Sequence, residues 1–275
     1  MVDSQIYNLF KKGSRTYFYS SIFFPSPVRN NVFVLYSFVR KADNFVDAVP
    51  QDASGFYKFK KEFEESCTGK RSDDIVIESF TSLMKRSGIK KEWVDSFLES
   101  MEMDITKHSY KTIDDAVKYM YGSAEVIGLM MSRLLCLKDG HEYSARMLGR
   151  AMQYINFLRD INEDNSLGRL YIPEDIMMKY NLKTLTLEES KSKKKEFTIM
   201  MQSEIARYLE WQREGEKGFT YIPKFLLIPI KTASDMYRYT AKVIYRDPFV
   251  IYRKKVKPSI FRILFQTLLN VIEIY

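Results

Sequence analysis

Two stretches of this 275-residue chain place acids and arginines at helical spacing. In FVRKADNFVD, residues 38 to 47, Arg40, Asp43 and Asp47 fall three and four positions apart. In QYINFLRDINED, residues 153 to 164, Gln153, Asn156, Asp160 and Asp164 are spaced by three, four and four, with Arg159 alongside. Side chains three and four apart share a helix face, so each stretch presents one polar stripe. Carboxylates one turn apart can hold Mg²⁺ through oxygen, and Mg²⁺ keeps waters and shares its coordination with substrate phosphates. Neighbouring arginines add forked donors for phosphate oxygens. Two such faces across one cavity would neutralise a diphosphate and help it leave. A single D-x-x-x-D is common on solvated helix faces; two copies, each beside an apolar face, argue for shared chemistry.

The elements that must position these residues are helical by period almost throughout. Pro25 and Pro27 open a helix that carries the first acid stripe and stops at Pro50. Asp52 or Ser54 caps the next, through FYKFKKEFEES, and amphipathic stretches follow over Ser72 to Arg86 and Lys90 to Lys107. Thr112 caps a long helix through DDAVKYMYGSAEVIGLMMSRLLCL, and another runs from about His141 to Glu163 with the second stripe. NSLGRLYIPED is a non-helical link with a short extended piece at Leu170 to Ile172. A charged helix then spans about Leu187 to Glu216, another Ile222 to Ile244, and a last one ends the chain. No strand-period segment, long repeat or Ser/Gly linker divides it, so the period predicts a single all-α domain over residues 1–275.

Hydrophobic residues at 45% and charged residues at 28% are ordinary globular values and exclude a disordered or collagen-like chain. With 19 Tyr and 19 Phe against 11 Gly and 8 Pro, long helices around an aromatic interior are expected. The net charge of +8 suits anionic substrates or lipid headgroups; the cations are scattered rather than gathered in one arm, which argues against nucleic acid. The densest run, KSKKKEF at 191 to 197, reads as a solvated helix face. Cys67 and Cys136, without CxxC or His partners, read as free thiols in a reducing compartment. A polar N-terminus and the lack of an uncharged apolar run of about 18 residues point to a cytoplasmic protein. RKKVKPS, 253 to 259, followed by an amphipathic helix, has two uses: terminal packing, which is commoner, or peripheral contact with the inner membrane face.

These motifs together resemble the squalene and phytoene synthase family, the head-to-head trans-isoprenyl diphosphate synthases. The resemblance runs from about Lys11 to Lys257 through landmarks in family order: GSRTYFYSSIFFP, LYSFVRKADNFVD, YMYGSAEVIG and LGRAMQYINFLRDINEDNSLGRLYIP. It implies an isoprenoid-synthase-type helical bundle around a central cavity. Asp43 and Asp47 would bind Mg²⁺ on one side, and Asn156, Asp160 and Asp164 on the other, with more than one ion per site. Ser14, Arg15, Thr16, Tyr36, Arg40, Gln153, Arg159 and Arg169 would contact two diphosphates. Tyr119 would stand near the reacting carbons as a catalytic residue, where a phenol face steadies carbocations or its oxygen assists proton movement. Tyr171 and Tyr237 would line the site beside the diphosphate.

Two departures from the family pattern stand out. Asn44 takes the place of a second adjacent Asp. Glu125 takes the place of a Gly, so one more side chain must be housed and the local cavity shape is open. The implied reaction couples two allylic diphosphates through a cyclopropylcarbinyl diphosphate. Small residues at Ser21, Ala124, Ala145 and Gly149 favour two C20 geranylgeranyl diphosphates and phytoene. The alternatives are squalene or dehydrosqualene from two farnesyl diphosphates, with NADPH in the squalene case, and an inactive relative serving as a scaffold. The pairs Met130-Met131 and Met177-Met178 read as packing, and His108 and His141 as surface residues.

Overall fold

Proline sets both ends of the helix that bears the first acid stripe. Pro25 precedes α3 (Ser26–Asp47) and Pro27 sits in its first turn, where the missing N–H costs nothing. The helix stops short of Pro50, whose ring disfavours helical backbone in the residue before it. Two shorter helices that the period does not mark, α1 (Ser4–Gly13) and α2 (Arg15–Ser21), precede it. They meet at Gly13, where a Cβ would lie 2.9 Å from Arg40 Cγ, so the α1 end rests directly on the stripe. The structure is a computed structural model describing residues 2–275; the side chain of Arg15, expected at the diphosphate, lies outside the described residues.

Next come α4 (Ala53–Cys67), α5 (Ile75–Ser87) and α6 (Lys91–Thr106). Asp52, rather than Ser54, caps α4 by accepting from the Gly55 N–H at 2.8 Å. Thr112 caps α7 (Ile113–Met120) as anticipated, accepting from Asp115 N–H. The long helix expected beyond it is interrupted: Tyr121–Glu125 forms one π turn before α8 (Val126–Leu134). Gly122 permits that turn to press on α6, since a Cβ there would lie 2.1 Å from the Ser96 carbonyl.

The second stripe lies on α9 (Glu142–Ser166). The following link contributes an isolated parallel bridge between Leu170 and Ser109, and there is no strand among the described residues. After α10 (Glu174–Lys179), the charged helix breaks at Lys193 into α11 (Leu187–Ser192) and α12 (Lys194–Glu216). Lys193 leaves helical backbone with φ −117° and ψ 49°. A 3₁₀ turn, Lys217–Tyr221, leads to α13 (Lys224–Arg246), α14 (Val250–Arg253) and α15 (Ile260–Ile274).

Apolar burial divides into two clusters. One is aromatic, gathering α1 to α6 and α8, with Phe38 stacked on Phe80 at 4.0 Å. The other joins α7, α9, α12 and α13, with Phe157 stacked on Tyr171 at 4.5 Å. Each fully buried Phe contributes about 1.5–3 kcal/mol of transfer free energy. Tyr17 on α2 packs against both clusters, and a cavity of about 710 Å³ opens between the helices that carry them. The fold is all-α, as the period predicts.

Candidate active site

Both acid stripes face this one cavity. Asp43 and Asp47 reach it from α3, and Asn156, Asp160 and Asp164 from α9. On the α3 side, Arg40 Nη1 donates to Asp43 at 2.7 Å and lies 3.8 Å from Asp47. On the α9 side, Arg159 forks onto both oxygens of Asp160, at 2.8 and 2.5 Å. Arg169, on the link after α9, crosses the gap: Nη1 donates to Asp47 at 3.0 Å and Nη2 to the Val46 carbonyl. The two rims are thus tied by an arginine before any ligand is considered.

The electrostatics of this end are those of crowded carboxylates. Asp43 is pushed up to about 7, first by burial and then by Asp47, with Arg40 opposing. Asp164 is pushed up to about 8 by burial and then by Asp160. Asp47 also raises Asp164, so the stripes lie close enough to feel each other. Added positive charge is what such a site lacks.

The remaining expected residues line the same cavity. Ser14, Thr16 and Tyr36 stand at the α1–α3 side, Gln153 and Arg159 on α9, and Tyr237 on α13. Tyr36 stacks on Phe10 at 4.1 Å, which fixes its ring. Tyr119 and Tyr171 line it as well. Ser21, Ala124, Ala145 and Gly149 line the cavity too, along with Phe24, Leu35, Met131 and Ile230. At Gly149 a Cβ would fall 2.4 Å from the Ala124 carbonyl, so α9 packs backbone to backbone on the π turn. The cavity is therefore charged at one end and apolar along its length.

Glu125 does not enter the cavity, which answers the question its presence raised. The π turn directs its fully buried carboxylate toward α9, where Arg146 Nε donates at 2.7 Å and Arg150 Nε at 2.6 Å. His141 corrects the surface reading: it is buried, lines the cavity, and holds the Lys138 carbonyl through Nδ1. His108 is exposed as expected. Of the methionines, Met130 and Met177 pack in the core, Met178 is exposed, and Met131 lines the cavity.

Two features of the site escaped the motif search. Asp104, buried on α6, accepts 2.7 Å hydrogen bonds from the phenols of Tyr119 and Tyr171. Burial pushes its carboxyl up to about 6 although both phenols oppose the shift. Its signal was present: Phe97, Met101 and Asp104 are four and three apart, an acid on an apolar stripe. The other is the basic segment 253–257. Lys255 lies 3.3 Å from Asp160 and pairs with Glu163, and Lys257 also lines the cavity, so these two cations serve the site.

The donor set fits Mg²⁺. Asn156 Oδ1 is buried without a hydrogen-bond partner, a free oxygen ligand beside the α9 acids. Among the described residues no three His, Cys, Asp or Glu side chains converge on one point. Mg²⁺ takes one or two carboxylates and completes its shell with water and substrate phosphate, and each stripe offers such a pair to the cavity. No described helix is long and apolar enough to cross a membrane.

Comparison with known proteins bears on the family and the fold. The family model described as squalene/phytoene synthase matches residues 10–262. A 15-cis-phytoene synthase of Synechococcus elongatus is 22% identical over 88% of this chain and 83% of its own. A phytoene synthase of Rhodobacter capsulatus is 30% identical over 62% of this chain, which spans about half (51%) of that relative. Among solved structures, a dehydrosqualene synthase in complex with ligand superposes with a TM-score of 0.88 at 21% identity, covering 98% of this chain and 96% of its own. The squalene synthase HpnC from Alicyclobacillus acidocaldarius gives 0.78 at 20% identity, covering 89% and 93%.

Proposed function

The chain belongs to the squalene/phytoene synthase family of prenyltransferases, and from that premise we propose that it joins two geranylgeranyl diphosphates head to head to give phytoene. The observation that carries this reading is the pair of acid stripes facing across one cavity whose length is apolar. A volume of about 710 Å³ falls in the upper part of the usual range for ligand cavities, roughly 300–1,000 Å³. Phytoene synthases among the relatives favour the C20 substrate, as do the small residues Ser21, Ala124, Ala145 and Gly149 on the wall.

Asp43, Asp47, Asn156, Asp160 and Asp164 are the residues that would hold Mg²⁺. Bound there, the metal would neutralise diphosphate charge and ease departure of the leaving group. Arg40, Arg159 and Arg169, now engaged with acids, are placed to share their donors with diphosphate oxygens. Tyr36, Ser14 and Thr16 face that end and would orient it. Beyond the polar mouth, Phe157, Leu35, Ile127 and Met131 exclude water from a cationic intermediate. Tyr119 lines the cavity while its proton is directed to Asp104, so its oxygen lone pairs and ring face remain for the reacting carbons. In the coupling, the first substrate loses diphosphate and the second molecule's double bond attacks the allylic cation. Loss of a proton then closes the cyclopropane; a second departure of diphosphate and rearrangement give a linear allylic cation, which loses a proton to become the neutral hydrocarbon.

The test is incubation with Mg²⁺ and labelled geranylgeranyl or farnesyl diphosphate, with and without NADPH, followed by analysis of the extracted hydrocarbon. Phytoene from the C20 substrate without reductant supports the proposal. Squalene formed with NADPH, or dehydrosqualene without it, would reassign the chain to C15 coupling. No hydrocarbon from either substrate would favour a scaffold role.

A further inference from the structure

The cavity follows one face of α9. His141, Ala145, Leu148, Met152, Asn156 and Asp160 all line it, at spacings of four, three, four, four and four. They run from the N-cap of the helix to the second acid stripe. Side chains at such spacings share a face, so the helix serves as a measure of the cavity. At about 1.5 Å per residue, the rise from His141 to Asn156 is about 22 Å. Ala145, Leu148 and Met152 give that stretch an apolar floor.

At the end away from the acids stands His141, 6% exposed, with its ring held on two sides. Nδ1 donates to the Lys138 carbonyl at 2.5 Å, which leaves Nε2 of the neutral ring with its lone pair. The Tyr221 ring meets it edge to face at 6.5 Å. Tyr221 belongs to the 3₁₀ turn after α12, and Gly218 of the same turn rests on α9, where a Cβ would lie 2.6 Å from Ser144 Cβ. Just ahead of His141, Gly140 adopts φ 100°, a left-handed conformation that favours glycine. A Cβ on it would lie 3.3 Å from the Tyr221 hydroxyl. A ring fixed by a hydrogen bond, an aromatic neighbour and a tight turn resists being pushed aside.

An extended prenyl chain advances roughly 5 Å per five-carbon unit, since each unit adds four carbon–carbon bonds of about 1.5 Å in zigzag. Counted from a diphosphate held at Asn156, four units reach roughly 20 Å and end at the His141 turn. Three units stop about one helical turn short of it, and five overrun it. We propose that His141 is the length stop for the prenyl tail that lies along α9, its ring ending the apolar run where a C20 chain ends. A shorter tail leaves space without contacts, and a longer one collides with a fixed ring, so the cavity selects from both sides. The use of this selection in catalysis rests on the proposed function; the length preference itself is a property of binding.

The test is binding of non-reacting thiolodiphosphate analogues of farnesyl, geranylgeranyl and geranylfarnesyl diphosphate in the presence of Mg²⁺. The parent should bind the C20 analogue tightest, at least about tenfold over C25. His141→Ala should shift the optimum to C25, and His141→Phe, which adds bulk at the same place, should shift it toward C15. Opposite shifts are not what a loosened loop produces, and circular dichroism confirms that each variant folds. A parent that binds the C15 or C25 analogue as tightly as C20 has no stop at this depth, which overturns the proposal without any variant. An unchanged order of lengths in either folded variant overturns it too. Hydrocarbon assays with the same three chain lengths separate this inference from the reaction. No hydrocarbon from any substrate, with the C20 analogue still preferred, refutes the coupling and leaves the stop; hydrocarbon from C20 with no shift in His141→Ala does the reverse.

Discussion

The phenol of Tyr119 donates to Asp104 at 2.7 Å, and the same carboxylate accepts from Tyr171 at 2.7 Å. One buried acid thereby orients two aromatic rings on the cavity wall, with ring centroids 5.4 Å apart. The arrangement is a fixed proton address: each phenol hydrogen points to Asp104. Phe157, stacked on Tyr171, holds the cluster from the α9 side.

Tyr119→Phe removes the oxygen and leaves the ring. The variant should fold, because the ring still packs, while Asp104 loses one of two donors at a cost of about 1.5–3 kcal/mol. Hydrocarbon formation should fall by about 10²-fold if the oxygen takes part in proton movement. Turnover within a factor of two of the parent, measured with saturating substrate, would limit Tyr119 to shaping the cavity.

The pH dependence of stability carries the mark of Asp104. Its carboxyl sits at about 6 in the fold against about 3.9 in an unfolded chain. The folded protein keeps this proton where the unfolded chain has released it. The associated stability is complete below about pH 4 and is lost as pH rises through 6. Asp104→Asn, which can still accept from one phenol, should therefore show a smaller fall in Tm between pH 4 and 6.5 than the parent. Identical slopes would mean that the carboxyl titrates as it does in the unfolded chain.

Asp160→Asn keeps the size of the side chain and removes its charge. Arg159 loses its ionic partner, yet Glu163 and Asp164 remain on the same helix. Secondary structure should survive, most turnover should vanish, and residual activity should need a higher Mg²⁺ concentration. Rates and Mg²⁺ dependence like those of the parent would remove Asp160 from the metal-holding set.

Glu125 is a different kind of acid, structural rather than substrate-facing. Its two arginine donors, Arg146 and Arg150, lie on α9, so the triad pins the π turn to the helix bearing the second stripe. Glu125→Ala would leave Arg150 largely buried without its anion and should destabilise by about 3–5 kcal/mol. Denaturant unfolding reads this directly. A loss under about 1 kcal/mol would show that the arginines find water instead.

The local chemistry was legible in the sequence because helical period encodes which side chains share a face. Spacings of three and four put Asp43 with Asp47, and Asn156 with Asp160 and Asp164, before any packing is known. Caps and prolines marked a few helix ends for the same local reason, as Thr112 and Pro25 show. The π turn at Tyr121–Glu125 was not legible, because close approach of α6 and α9 selects it and both lie far away in sequence.

Which faces meet was decided only by tertiary packing. The period says that α3 and α9 each carry an acid stripe; two core clusters with a gap between them bring the stripes to one cavity. Asp104 joined the site because α6 packs its stripe inward, and Lys255 because the chain after α14 folds back onto Asp160. The direction of α15 shows the limit most clearly. Its amphipathic pattern fixes two faces, and the hydrogen-bonding seat on α13 determines that the polar one turns in.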